Sequence, residues 1–346
     1  GLRAWGDDFR LFTPLAMNLP PEVLRVVARL PPEDALLTGP QMADDVLAPL
    51  AAAAPLAGRV REGLRVAAIG RSGFTRGDFA GHPIRDERPF RILVGGGAGE
   101  ETLEADVVLD ASGGHVHPNW AGRGGLPAEG ERALGTRIVR GLGGLSSLVP
   151  SLAGKTVLLV GHGHSAAHAV LRLALPGATA AGRVVWSVRT PNRRPVVETA
   201  GDPLPERARV ASGANDLAES PPGHLQIRRR SSIAALRPEG EGIGVEFFGG
   251  ETLRVDEVVS LTGGRPDHSF LSELALEVAP ATEGTRRLAA ALAGVTDCLT
   301  VPEARPDDFE TGERGFFFVG AKSYGRSRNF LLRTGLAQLE TILGRP

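Results

Sequence analysis

The chain holds one cysteine, Cys298, in 346 residues. A single thiol excludes an internal disulfide, a Cys-x-x-Cys dithiol and any cysteine-rich metal centre, and Cys298 reads as a buried or inert thiol. Charge of either sign is also not in excess. Lysine and arginine number 39 against 40 aspartates and glutamates, a formal net charge of −1. That balance gives no electrostatic argument for a nucleic acid or an anionic membrane, so neither is expected as a partner. The run Arg228-Arg229-Arg230 has no aromatic residues beside it and reads as a solvated strand edge. No stretch reaches about 18 consecutive apolar residues, so no membrane span is expected. No signal peptide is read either, and a cytoplasmic location is expected. Metal ligands are equally scarce. His162 and His164 stand two apart where a turn meets a helix, which places them on different sides. His115 and His117 have no cysteine or carboxylate at ligand spacing and read as loop histidines, so no metal is expected.

What the chain has is a glycine turn between a strand and a helix. Val157 to Val160 is a short apolar run of β type. It feeds into Gly161-x-Gly163-x-x-Ala166, and an Ala-rich helical pattern follows. In this context the pattern reads as a dinucleotide fingerprint. Gly161 permits the tight turn, Gly163 lets the backbone approach a pyrophosphate, and Ala166 allows close packing of helix on strand. The pyrophosphate would sit on free N–H groups at the helix N-terminus, beside His164 and Ser165. The next β-type run, Arg183 to Val188, ends at Arg189, where an NAD-binding unit would carry a carboxylate for the ribose. Arg193 and Arg194 follow. A guanidinium cluster suits a 2′-phosphate, so NADPH is expected over NADH.

Apolar content of 42% and charged content of 23% are those of an ordinary globular protein, and the length suits about two domains. The glycine turn lies in mid-chain, so other structure must surround it. Leu64 to Ile69, Phe90 to Val94 and Ala105 to Leu109 read as short strands, the last ending in Asp110-Ala111-Ser112-Gly113. A glycine-rich tract from Gly113 to Gly125 reads as an interdomain crossing. Leu225 to Ile227, Ile233 to Leu236, Ile243 to Phe248 and Val255 to Leu261 read as a β-meander. It ends in a second crossing, Thr262-Gly263-Gly264-Arg265-Pro266-Asp267. The chain closes with a strand over Phe316 to Val319, then Gly320, then a helix from Asn329 to Leu343.

The paired crossings, each a strand ending in a hydroxyl residue and glycine, carry a resemblance. Val259 to Asp267 resembles the Ala-Thr-Gly segment of flavoprotein monooxygenases. Gly315 to Gly320, followed by Lys322-Ser323-Tyr324-Gly325, resembles the C-terminal FAD-binding strand and helix start. Trp5 to Pro14 resembles a loop found in bacterial monooxygenase-like flavoproteins. The chain therefore resembles the FAD/NAD(P)-dependent flavoproteins with two dinucleotide-binding domains. The resemblance implies an α/β fold of two Rossmann-like domains. The NADPH domain, 146–267, would be inserted into a discontinuous FAD domain of residues 1–145 and 268–346.

That resemblance implies FAD and NADPH as cofactors, a small-molecule substrate, O2 as co-substrate, and an organisation that admits a homodimer. It implies flavin-side roles for Trp5, Arg10, Phe12, Ser112, Gly113, Thr262, Gly263, Gly320, Lys322, Ser323 and Tyr324. It names no catalytic acid, base or nucleophile, because the cofactors carry the chemistry. The chain departs from the family in three respects. The first strand–glycine–helix unit of the FAD domain is not found, so the chain is expected to be N-terminally truncated relative to the family and to hold FAD poorly. No dithiol is present. His115, His117 and Trp120 do not match the monooxygenase fingerprint spacing. A flavin reductase or dehydrogenase passing electrons to a partner, or a non-catalytic nucleotide-binding remnant, therefore stand beside the monooxygenase reading.

Overall fold

The computed structural model describes residues 2–27, 29–97, 99–114, 116–174, 181–295, 297–327 and 330–344. His115 and Asn329 lie outside the described residues. The strands of three or more residues are, in chain order, β1 (Arg65–Arg71), β2 (Phe90–Gly96), β3 (Gly99–Ala105), β4 (Val108–Asp110), β5 (Ile138–Arg140), β6 (Thr156–Val160), β7 (Arg183–Ser187), β8 (Leu225–Arg228), β9 (Ile233–Glu239), β10 (Gly242–Phe247), β11 (Thr252–Val255), β12 (Glu257–Ser260) and β13 (Phe316–Phe318). Helices α1 (Gly141–Leu148), α2 (His164–Ala174), α3 (Pro205–Glu219), α4 (Ala321–Tyr324) and α5 (Leu332–Leu343) bear on the sites described below.

Two compact units divide the chain. The first comprises residues 1–16, 24–50 and 118–263, and the second residues 17–23, 51–117 and 264–346. The expected boundaries near 145 and 267 keep the first fifty residues with the discontinuous domain. The structure groups most of those residues with the middle segment instead. The reason is apolar burial. Phe9, 1% exposed, belongs to the same core cluster as Leu145, Val170 and Val210.

The first unit is built on a five-stranded sheet of order β5-β12-β6-β7-β8, all parallel. Val157, Leu158 and Leu159 of β6 are fully buried. Val157 and Leu159 face a layer that includes Val170 and Leu173 of α2 and Val210 and Ala214 of α3. Leu158 and Val160 face Leu236, Ile243 and Val245 of the antiparallel sheet β9-β10-β11. Burial on both faces explains why β6 is a continuous apolar run and not an alternating one. Two sequence expectations change here. Leu225 to Ile227 does not open a meander; as β8 it closes the parallel sheet. The run Val255 to Leu261 is two strands broken at Asp256. That residue's carboxylate accepts the Thr156 N–H at 2.8 Å, and its own N–H bonds the Thr156 carbonyl at 2.9 Å. The chain leaves the antiparallel sheet there and joins the parallel one.

The second unit contains the antiparallel sheet β1-β2-β3 and a parallel pair, β4 with β13, in the register Phe316 to Val108 and Phe318 to Asp110. The expected strand Ala105 to Leu109 divides between the end of β3 and the start of β4. Phe90, Phe316, Phe318, Ile69, Leu271 and Leu274 form its core. Beside them lies a buried charge cluster. Glu313 Oε2 meets Arg71 Nε at 3.1 Å and Glu313 Oε1 meets Arg85 Nη2 at 2.5 Å, with all three side chains at most 3% exposed. Arg71 also lies 3.8 Å over the Phe90 ring. Among the described residues no helix is long and apolar enough to cross a membrane.

Candidate dinucleotide site

The glycine turn sits where the parallel sheet reverses its order. From β6 the chain steps outward through α2 to β7 and through α3 to β8, while β12 and β5 lie on the other side of β6. In open parallel sheets a crevice opens at such a reversal, at the carboxyl ends of the strands. Gly161 occupies it. Its φ is +127°, and a Cβ there would lie 2.3 Å from the Leu261 carbonyl oxygen. Any side chain would collide with backbone. The turn is held from several directions. Gly161 N–H donates to Ser187 O at 3.1 Å, and Leu261 N–H donates to Val160 O at 2.8 Å. The buried Trp186 donates its indole Nε1 to Gly161 O at 2.7 Å. The Gly163 carbonyl accepts the Ala167 N–H at 2.9 Å as α2 begins. Ala166 is fully buried, and its Cβ would stand 3.6 Å from a Cβ at Gly161, so a larger residue would push helix from strand. Ser165 is exposed on the first turn of α2. The first-turn N–H groups and the helix dipole favour an anion at this end.

The three arginines after β7 are not equivalent. Arg194 is tied to Glu198 at 2.7 Å, Asp216 at 3.0 Å and Glu219 at 2.7 Å, and these contacts raise its pKa above the ordinary arginine value. Arg193 is exposed, with one loose ionic neighbour, Glu219, at 3.8 Å. Arg189 is exposed, and its guanidinium makes no hydrogen bond or ion pair among the described residues. Arg229 donates to the carbonyls of Asn192, Arg193 and Ala218 and so fixes the loop that carries the other arginines.

Trp5, Arg10 and Phe12, expected beside a flavin in the discontinuous domain, lie in the first unit. Trp5 accepts a hydrogen bond at its carbonyl from Ser146 Oγ at 2.6 Å. Arg10 donates to the Leu36 carbonyl at 2.7 Å. Phe12 stacks on His168 with centroids 5.2 Å apart and 12° between the planes, and meets His164 edge-on at 5.2 Å. Phe9 packs edge-on against His168 from another side. Burial holds the His168 pKa down at about 4, against a smaller opposing pull from Glu206. No local pattern along the chain signals this aromatic cover over α2. Thr262 and Gly263 are likewise occupied by their own unit. Thr262 Oγ1 donates to Asn119 O at 2.6 Å, Asn119 Nδ2 donates to Thr262 O at 3.2 Å, and Asn119 N–H donates to Gly263 O at 2.9 Å. They pin the two crossing segments together.

The remaining expected residues gather in the second unit, at the carboxyl ends of β4 and β13. Lys322 is fully buried, and its ammonium lies 3.2 Å from Asp110 Oδ2 and 3.2 Å from Ser112 Oγ and bonds the Asp267 carbonyl. Burial lowers its pKa and Asp110 opposes the shift. The buried Gln338 accepts the Gly320 N–H at 2.7 Å and donates to Ser323 Oγ at 3.0 Å, while Ser323 Oγ donates to Gly320 O at 2.8 Å. Tyr324 is buried against Phe330, and burial pushes its hydroxyl up to about 12. Lys322, Ser323 and Tyr324 are thus inside the unit and not on its surface. Ser112 and Gly113 are accessible. The N–H groups of Gly113 and Gly114 have no acceptor among the described residues. A Cβ at Gly114 would lie 2.7 Å from Gly325 O and 2.9 Å from Ala321 O, so this turn lies directly on α4. Asp110, Asp267 and Gln338 were missed by sequence reasoning. Asp110 and Asp267 had a signal, as the first and last residues of the two quoted crossing motifs, and Gln338 had none.

No family model matches the chain, and no curated protein matches it by sequence. Solved structures do match by fold. Bacillithiol disulfide reductase Bdr from Bacillus cereus is similar at TM-score 0.61 and 18% identity, over 92% of this chain and 82% of that one. Thioredoxin reductase from T. acidophilum is similar at TM-score 0.58 and 16% identity, over 99% and 86%. The FAD-bound cadaverine monooxygenase of desferrioxamine biosynthesis from Erwinia amylovora is similar at TM-score 0.57 and 12% identity, over 99% and 85%. The chain has the two-domain fold of the FAD- and NAD(P)-binding flavoproteins. At these identities the likeness concerns fold alone. It includes reductases and an oxygenase alike, so it does not choose between them.

Proposed function

We propose that this protein is an NADPH- and FAD-dependent oxidoreductase of the monooxygenase-like kind, acting on a small molecule with O2. The observation that carries the nucleotide half is the glycine turn at the sheet reversal, closed to any side chain, with an Arg189 that has no partner among the described residues just beyond the neighbouring strand. The backbone at Gly161 to Ser165 would hold the pyrophosphate. Arg189, assisted by Arg193, would hold the 2′-phosphate. For FAD the described residues supply part of a site, the free N–H group of Gly113 beside the exposed Ser112, with the buried Gly114 behind them. Among the described residues the second unit has no glycine turn that opens a long helix after a parallel strand, so the pyrophosphate donors of a Rossmann site are not among them. A bound flavin supplies redox chemistry that no side chain here can. With one cysteine in the chain, dithiol exchange is not available, which favours oxygenation or electron transfer over disulfide reduction. A cytoplasmic location and a homodimer complete the proposal.

The test is reconstitution of the full chain with FAD, followed by titration with NADPH and NADH. A yellow protein that consumes NADPH in preference to NADH supports the reading. Retention of 18O from O2 in a product supports oxygenation. Consumption that needs an added electron acceptor and leaves oxygen out of the product supports the reductase alternative. A protein that binds neither nucleotide overturns both.

A further inference from the structure

A lysine with no exposed surface is rare in a folded protein unless its charge is matched. Lys322 is such a residue, and its partners come from three separate places in the second unit. Asp110 ends β4 and Ser112 follows it in the turn, Asp267 closes the second crossing, and Lys322 itself is on α4, which follows β13. Its ammonium donates to Ser112 Oγ and to the Asp267 carbonyl and is ion-paired with Asp110 Oδ2, an oxygen that accepts no hydrogen bond among the described residues. The Phe270 and Phe318 rings lie 5.1 and 5.5 Å from the same nitrogen. The lysine has no exposed surface for a ligand to reach. The turn it holds is different. Ser112 is exposed, Gly113 has φ +94° with open space where a Cβ would point, and the N–H groups of Gly113 and Gly114 are unpaired among the described residues. Asp110 Oδ1 accepts the Ser112 N–H at 2.9 Å, so the carboxylate that binds the lysine also shapes the start of the turn.

We infer that Lys322 is a positioning residue: its buried ammonium fixes the Ser112–Gly114 turn, and that turn, not the lysine, offers the contacts to a flavin nucleotide. The second clause rests on the flavin reading above; the first does not. A turn with free donors is effective only if it is already ordered before the ligand arrives, because disorder would have to be removed on binding. The lysine supplies that order from beneath.

The test separates positioning from bulk stability. Lys322→Met alone would leave the Asp110 carboxylate buried and unpaired, so the informative variant is the pair Asp110→Asn with Lys322→Met, which removes both charges. Backbone order at Ser112, Gly113 and Gly114, read from NMR order parameters, is measured together with the thermal midpoint and the FAD dissociation constant. The expected result is a midpoint within a few degrees of the parent, order parameters at the turn falling from the rigid range of about 0.85 to below about 0.6, and FAD binding weaker by about tenfold or more. Unchanged order and unchanged FAD binding in a folded double variant overturn the inference. If the parent chain binds no FAD, the flavin reading fails while the order parameters still decide the positioning role. If the double variant does not fold, Ser112→Ala removes one acceptor at an exposed position. Lower order parameters at Gly113 and Gly114 in that variant support the inference, and unchanged ones overturn it.

Discussion

Replacing Arg189 by alanine should separate the two nicotinamide nucleotides. The guanidinium has no partner in the protein among the described residues, so removing it orphans no carboxylate and should leave stability almost untouched. Its whole effect should fall on ligand binding. One charge-assisted hydrogen bond to a phosphate contributes about 1.5–3 kcal/mol. At about 1.4 kcal/mol per factor of ten, NADPH affinity should fall by roughly 10- to 150-fold. NADH carries no 2′-phosphate, so its affinity should change by less than about twofold. Arg194→Ala is the control. That arginine is already held by Glu198, Asp216 and Glu219, and its loss should cost about 1 kcal/mol of stability at most with little effect on either nucleotide. Calorimetric titration of both nucleotides against both variants, at one fixed ionic strength, makes the comparison. Equal losses of NADPH and NADH affinity in Arg189→Ala would refute the 2′-phosphate assignment. A larger NADPH loss in Arg194→Ala would show that the ion-pair network opens when the ligand binds.

Three further outcomes are expected. Gly161→Ala should destabilise the protein by roughly 2–3 kcal/mol, because the methyl group meets the Leu261 carbonyl at a φ that side chains avoid; chemical denaturation measures it, and NADPH binding should be lost with it. Glu313→Gln should cost about 3–5 kcal/mol by leaving Arg85 buried without its counter-charge and Arg71 with only the looser Asp86, at 3.9 Å. Burial would raise the Glu313 pKa, but hydrogen bonds from Arg85, the Ala275 N–H and Arg71 hold it below its ordinary value. Its stabilisation is therefore present above the unfolded pKa of about 4.3 and lost as pH falls below it, so melting curves of parent and variant should converge in acid. His168, held at about 4 by burial, gives a second window. The unfolded chain takes up a proton near pH 6.5 that the native state refuses until about 4. Stability should fall between those values by about 3 kcal/mol at most, and His168→Phe, which keeps the stack on Phe12, should flatten that part of the profile.

The parts legible in the sequence were those set by neighbours along the chain. The strand, turn and helix of residues 156–174 were readable because each element's signal lies within a few residues of the next. Even the third position of the motif could be read physically, since Ala166 is where helix meets strand. The β8 and β12 assignments were less accessible. Leu225 to Ile227 and Val255 to Leu261 have the same apolar character as true meander strands. Only the pairing of Val184 with Leu225 and of Val258 with Leu158 shows that they belong to the parallel sheet. Local pattern specifies that a strand forms, while the partner depends on which buried face is available.

The side chains that organise the candidate sites were the least legible, and the reason is chain separation. Trp186 supports the Gly161 turn by a hydrogen bond to a residue 25 positions earlier. Gln338 caps Gly320 across 18 positions, and Lys322 reaches Ser112 across 210. No periodicity or spacing rule connects such residues, because the free energy that links them arises only when burial removes water from both. A lysine beside a serine and a tyrosine near a helix start suggests a ligand contact, since lysines are usually exposed. The same lysine, fully buried and bonded to Ser112 and Asp267 within its own unit, is instead part of the support on which a contact surface is built. The distinction decides which substitutions are informative. Changing Arg189 tests a contact directly, whereas changing Lys322 tests whether a contact made by other atoms depends on a charge the ligand never meets.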